Sequence, residues 1–156
     1  MAEVIKPIVF RIGNELYGVD IQHVNAIEKD QSIVRVPNAS ANIKGIINLR
    51  GDIIPVYSLR EKFNLPQSPN PTKLIISRLP DFKLALEVDE VEEINDLTAE
   101  QITEFPRLAR SQDTRYFTNV ANAGGRLILI IDIRNLLTVE ETEDVKQLVE
   151  EETHND

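Results

Sequence analysis

The chain has 156 residues, a formal net charge of −9 and no cysteine, so one domain of ordinary size is expected, with neither a disulfide framework nor a thiolate metal site. Residues 139–156 hold eight acids against the single base Lys146, leaving 18 acids (26 less 8) and 16 bases (17 less 1) elsewhere. A near-neutral body with an acidic tail, lacking a basic stripe or an aromatic ladder, excludes nucleic acid or an anionic membrane as the main partner. Residues 1–7 lack the basic and apolar regions of a signal peptide, and the longest apolar run, 127–131, is too short to span a bilayer. A soluble, cytoplasmic chain without membrane insertion is the expectation.

Residues 8–12 alternate with a β period, and Gly13 with Asn14 turns them into 16–21, a first hairpin. From Asp20 to Ile27, three apolar residues (Ile21, Val24, Ile27) recur at three-residue steps, which predicts a short helical turn with an apolar edge. Pro37 and Asn38 then break the chain before a second hairpin over 45–56. There, isoleucine-rich runs flank the segment from Asn48 to Asp52, and Gly51 can take the positive φ that closes a tight connection. Arg50 sits on the tip, where its rigid fork of donors suits a partner's carboxylate or backbone carbonyls. Ser58 and Glu61 form a capping-box pattern for a helix through Leu65, ended by the proline-rich 66–71.

The same order of elements then returns. Residues 84–91 match 17–24 at a shift of 67 (84 less 17), and 125–133 match 51–59 at a shift of 74 (125 less 51). The difference places an insertion around 97–115. Asp132 falls at the position of Ser58 and can cap the following helix in the same way. Two repeats of short strands, about 8–65 and 73–137, predict a mainly β domain over 1–138 built as paired small barrels related by a pseudo-twofold. The twin of Asn48, Leu49, Arg50 and Gly51 is Asn122, Ala123, Gly124 and Gly125, so only the first hairpin carries the arginine. Over 139–156 an acidic helix is expected, with Val145, Leu148 and Val149 on helical spacing and disorder from about Glu150.

Candidate chemistry is sparse. The two histidines are His23 and His154, and Asp20 with His23 has helical spacing but no third ligand; Gly124 and Gly125 lack the pattern of a phosphate loop. No catalytic, cofactor-binding or metal-ligating set is expected; a small enzyme around Asp20 and His23 is the outlying alternative. Binding features are stronger. At the shift of 67, Ile21 and Val24 correspond to Val88 and Val91, so a pseudo-twofold brings the four to the junction between barrels. They form there either an apolar groove for a partner helix or part of the inter-barrel core.

Tyr17 Gly18 Val19 Asp20 Ile21, then Ile43 Lys44 Gly45 Ile46 Ile47 Asn48 Leu49 Arg50 Gly51, then Ile54 Pro55 Val56 with Leu59 Arg60, resemble the CheW family of bacterial chemotaxis coupling proteins; so do Val88 Asp89 Glu90 Val91 and residues 97–102. The likeness covers about 8–137. It implies two intertwined five-stranded SH3-like barrels and a non-enzymatic adaptor, monomeric in isolation, which joins chemoreceptor tips to the regulatory domain of the CheA histidine kinase and closes into rings with it. It implies that the receptor's helical hairpin enters the inter-barrel groove, here Ile21, Val24 and Val91, and that Arg50 serves coupling. Many members carry a glutamate where this chain has Ala26, so Arg50 needs another acceptor, Glu28 or a backbone carbonyl. Flagellar chemotaxis and a pilus or developmental pathway are not separated by these residues.

Overall fold

Eleven strands and two α-helices follow the duplicated pattern in the computed structural model, which describes residues 6–29, 31–66, 72–92, 97–106, 108 and 114–154. Strands β1 (Pro7–Ile12), β2 (Glu15–Asp20), β3 (Val24–Lys29), β4 (Ile43–Leu49) and β5 (Asp52–Ser58) lead into α1 (Leu59–Lys62). The second half runs β6 (Lys73–Arg78), β7 (Lys83–Val88), β8 (Glu90–Glu92), β9 (Ile102–Glu104), β10 (Phe117–Ala123) and β11 (Arg126–Ile131), then α2 (Val139–His154).

The sheets do not follow the halves. One has the order β8-β1-β2-β11-β10-β9 and the other β3-β6-β7-β5-β4, so each half lends its first hairpin to the other half's sheet. Two parallel pairings make the exchange. Val56 pairs with Ala85 and Tyr57 with Leu86, while Ile130 pairs with Gly18 and Ile131 with Val19. Every one of these residues maps onto its counterpart by the shifts of 74 and 67. The edges obey the same rule, since Val24 opposite Ser77 corresponds to Val91 opposite Phe10. The duplication is therefore a structural pseudo-twofold with intertwined strands. One sheet has six strands against the expected five, because the three-residue β9 pairs with β10 where its counterpart in the first half is a single bridge, Val34 to Ile46.

Three apolar clusters follow from this arrangement. Ile47, Ile54, Val56, Leu74, Ile76 and Ala85 fill one barrel; Val9, Leu16, Leu97, Ala121, Ile128 and Ile130 fill the other. A larger cluster, including Phe10, Tyr17, Val19, Tyr57, Ile75, Leu84, Leu86 and Val88, joins the two sheets. The lent hairpins are thus apolar on both faces, which is why 84–88 reads as an unbroken buried run rather than a clean alternation. Each fully buried Leu, Ile or Val contributes about 1.5–3 kcal/mol relative to exposure. Gly45 marks a close crossing, because a Cβ there would lie 2.2 Å from the carbonyl oxygen of Val34.

Local expectations hold in part. Ser58 caps α1 by accepting from the Glu61 N–H at 3.2 Å, and Asp132 accepts from the Arg134 N–H at 3.0 Å to cap a 3-10 turn at Ile133–Asn135. The predicted helical turn over 20–27 shrinks to a 3-10 turn at Ile21–His23, capped by Asp20, and Val24–Lys29 is a strand. Pairing with β6 and two β-branched residues in six override the three-residue spacing. The helix α2 is longer than expected, running to His154 rather than ending near Glu150. It is docked, with Val145 and Leu148 in the central cluster. Parts of 66–71 and 97–115, the predicted linker and insertion, lie outside the described residues.

Candidate functional site

The β4–β5 connection is a two-residue turn of the mirror-image kind that suits strand twist, with Arg50 at φ 53 and Gly51 at φ 93. Asn48 braces it, its Oδ1 accepting from the Gly51 N–H at 2.9 Å. The twin tip is built identically, with Gly124 at φ 62, Gly125 at φ 93 and Asn122 Oδ1 accepting from Gly125 at 2.7 Å. The two tips differ in that a glycine takes the left-handed conformation at no steric cost while an arginine there is strained. Sequence pattern placed Gly51 at positive φ and missed that Arg50 shares it.

Arg50 is 75% exposed at its side chain and donates from Nη2 to Glu28 Oε1 at 3.1 Å; the Glu28 side chain is 19% exposed. Of the two acceptors that the sequence allows, the structure selects Glu28. Along β3, Ala26 and Glu28 alternate to the same face, opposite Ile76 and Leu74 of β6. Ala26 packs against that barrel's interior cluster, as does Leu49 beside Arg50.

The four predicted junction residues separate. Val24 and Val91 are half-buried and pack against the central cluster from the two sheets. Ile21 is 48% exposed and Val88 only 1% exposed, so Ile21 is open to a partner whereas Val88 belongs to the core. Ile27, 43% exposed, lies opposite the central-cluster residue Ile75 and extends the edge marked by Ile21 and Val24; its place at the end of the three-residue series was the available signal. Lys73 Nζ reaches Glu90 Oε1 at 3.7 Å, linking β6 to β8 across the two sheets. Two open depressions, of about 890 and 610 Å3, include none of the seven predicted residues.

Charge is concentrated in structural contacts. Arg60 pairs with Asp89 through both of its fork nitrogens, each side chain 11% exposed, and the Gly13 N–H donates to Asp89 at 2.8 Å. Burial pushes the Asp89 carboxyl upward, but Arg60, Gly13 and Arg11 outweigh it and hold the group below the usual aspartate value. Glu141 on α2 is 4% exposed. It accepts from the Tyr57 hydroxyl at 2.8 Å, from Asn42 Nδ2 at 2.9 Å and from the Thr138 N–H at 3.0 Å. Burial raises its carboxyl too, and again the donors and Lys62 win, leaving it below the ordinary 4.5. The Tyr57 hydroxyl is driven up by burial and by the Glu141 charge. Sequence reasoning missed Glu141, since a buried acid within an acidic run looks like its solvated neighbours. Among the described residues there is no group of three potential metal ligands and no helix long and apolar enough to cross a membrane. Asp20 spends its carboxylate on the Gln22 N–H at 2.9 Å.

Two β-barrels with exchanged hairpins, a partly exposed apolar edge at Ile21, Val24 and Ile27, and the Arg50 tip bonded to β3 are the features that the fold brings together. The CheW-like domain model matches residues 6–141, and the chain belongs to the CheW family. It is 36% identical over 137 residues to the chemotaxis protein CheW of Klebsiella aerogenes, spanning 86% of this chain and 82% of that protein. The corresponding Bacillus subtilis protein is 31% identical over 140 residues, spanning 88% and 90%. The crystal structure of the scaffolding protein TtCheW from Thermoanaerobacter tengcongensis superposes with a TM-score of 0.79 at 34% identity, covering 89% of this chain and 96% of that one.

Proposed function

We propose that this protein is an adaptor of bacterial chemosensory signalling, holding a chemoreceptor's helical hairpin tip and the regulatory domain of a CheA histidine kinase in one assembly and catalysing nothing itself. The observation that carries this reading is the arginine at the first tip. The second tip shows that the scaffold accepts glycine at that φ, so Arg50 is retained at a conformational cost that folding does not require. Ile21, Val24, Ile27 and Val91 supply the apolar contact for the receptor helices beside it, and Asn48 and Gly51 shape the tip. Val88 supports that surface from within the core. Transmission requires contacts that differ between signalling states, because equal affinity for both shifts nothing.

Reconstitution with a receptor cytoplasmic fragment and the kinase tests the reading. Wild-type protein raises receptor-dependent kinase activity, while Ile21→Asp, at a position 48% exposed, removes receptor capture and leaves the fold intact. A wild-type protein that neither binds the kinase nor changes its rate rules the adaptor out.

A further inference from the structure

The two walls of the junction, which carry Val91 and Ile21, are held unequally. Asp89, just before β8, is sewn to the β1–β2 hairpin. Its N–H donates to the Arg11 carbonyl at 3.0 Å, its carboxylate accepts from the Gly13 N–H at 2.8 Å, and Arg60 reaches it from α1. Glu92, at the end of β8, accepts from Arg11 Nε at 3.2 Å. Val91 thus lies between two fixed points. At the shift of 67, Asp89 corresponds to Gln22 and Gly13 to Pro80. The opposite wall, the 3-10 turn at Ile21–His23, therefore has neither the carboxylate nor the N–H to repeat that bond. Gln22 turns its own N–H to the Asp20 carboxylate at 2.9 Å, and its exposed side chain makes no hydrogen bond among the described residues. The Ile21 N–H donates to the Lys6 carbonyl at 3.0 Å, so the turn is pinned at its start by backbone alone. Arg134, the counterpart of Arg60, is drawn back to Asp132, an acid standing where the first half has Ser58.

We infer that Gln22 and Asp132 make the Ile21–His23 turn the adjustable wall of the junction, which shifts to fit the helices of a receptor while Asp89 keeps Val91 as the fixed wall. This rests on the adaptor reading above. Local opening is easy where few buried contacts hold a segment, and costly where a half-buried ion pair must break. Ile21 is 48% exposed, so little core is disturbed when the turn shifts. Arg60 and Asp89 are each 11% exposed at the side chain, and moving their wall would strand two charges. A fixed wall sets the register of the bound helix. A yielding wall lets the same surface accept helices that differ in side-chain bulk, as adaptable surfaces do elsewhere.

Amide hydrogen exchange of the full-length protein, with binding of a receptor cytoplasmic fragment that includes the hairpin tip, tests this. In free wild-type protein the amides of 22–24 exchange at least about tenfold faster than those of 89–91. The double variant Gln22→Asp/Asp132→Ser rebuilds this seam in the image of the other. It keeps the net charge, keeps a capping side chain at 132 as Ser58 does at its own helix, and gives Arg134 a cross-half acceptor. Its 22–24 amides become protected and fragment affinity falls about tenfold, with no loss of melting temperature. Gln22→Asp alone adds the same carboxylate while Asp132 still holds Arg134, and it binds like wild type. Equal exchange in the two walls of wild-type protein overturns the inference. So does a double variant whose turn stays unprotected, one that is protected yet binds like wild type, or an equal loss of affinity in the single and double variants. If wild-type protein binds no fragment, the adaptor reading fails instead, and exchange in the free variants still decides whether Gln22 and Asp132 leave that wall loose.

Discussion

The two hairpin tips, Asn48 to Gly51 and Asn122 to Gly125, share a backbone, a brace and a place in a duplicated scaffold, and differ in one consequential side chain. A feature present in both serves folding, because both barrels need their turns closed. A feature present in one and strained there serves something else. The same logic sorts the capping arginines, which are also counterparts at the shift of 74. Arg60 crosses to Asp89 in the other half and is half-buried, whereas Arg134 folds back on Asp132 and is exposed. Here the asymmetry serves cohesion between the halves.

The largest effect expected from breaking the comparison is on signalling. Arg50→Glu lowers receptor-dependent kinase stimulation by at least about tenfold, the equivalent of roughly 1.4 kcal/mol, while Gly124→Arg, which places an arginine on the twin tip, leaves stimulation unchanged; an equal response to the two substitutions would erase the distinction. Next, Asp89→Asn costs about 2 kcal/mol in urea unfolding, since it weakens hydrogen bonds to a half-buried guanidinium, and Asp132→Asn costs less because its arginine remains in water. The acid limb of stability sharpens the third contrast, between a half covered by α2 and one that is not. Glu141 has a carboxyl lowered in the folded state, so its contribution is complete above the unfolded glutamate value of 4.5 and fades as pH falls through the lower folded value. Glu141→Gln is therefore less stable near neutrality and less sensitive to acid below about pH 4.5, which pH-dependent unfolding followed by circular dichroism would reveal. The smallest effects are at the braces. Asn48→Ala and Asn122→Ala each cost about 1 kcal/mol, and the first alone weakens kinase coupling.

Much of this architecture was legible in the residues. Apolar alternation, Gly51 and Gly125, and the caps Ser58 and Asp132 are local signals, and their recurrence at fixed shifts exposed the pseudo-twofold. Glu28 was named as one of two acceptors for Arg50, but that it shares a face with Ala26 follows from strand β3, where a helical turn was expected. What stayed hidden is decided by tertiary partners. No periodicity says that residues 16–19 pair with 128–131 rather than with their own half. Ile21 and Val88 are chemically alike and at equivalent positions, yet one is exposed and the other buried, because β7 runs two-faced through the middle of its sheet while Ile21 lies in a 3-10 turn between strands. Glu141 is indistinguishable from its acidic neighbours until Tyr57 and Asn42 arrive from elsewhere in the chain.

The hairpin exchange also sets a timetable. The two equivalent parallel seams close very different lengths of chain, 29 residues from Val56 to Ala85 and 112 from Leu16 to Ile128. Loop entropy makes the longer closure costlier by about 1 kcal/mol, and it cannot form before β11 has been made. Loop entropy thus favours docking of β6 and β7 before that of β1 and β2, although β1 and β2 come first in the chain. Pulse-labelled refolding is expected to protect the β7 amides before those of β2.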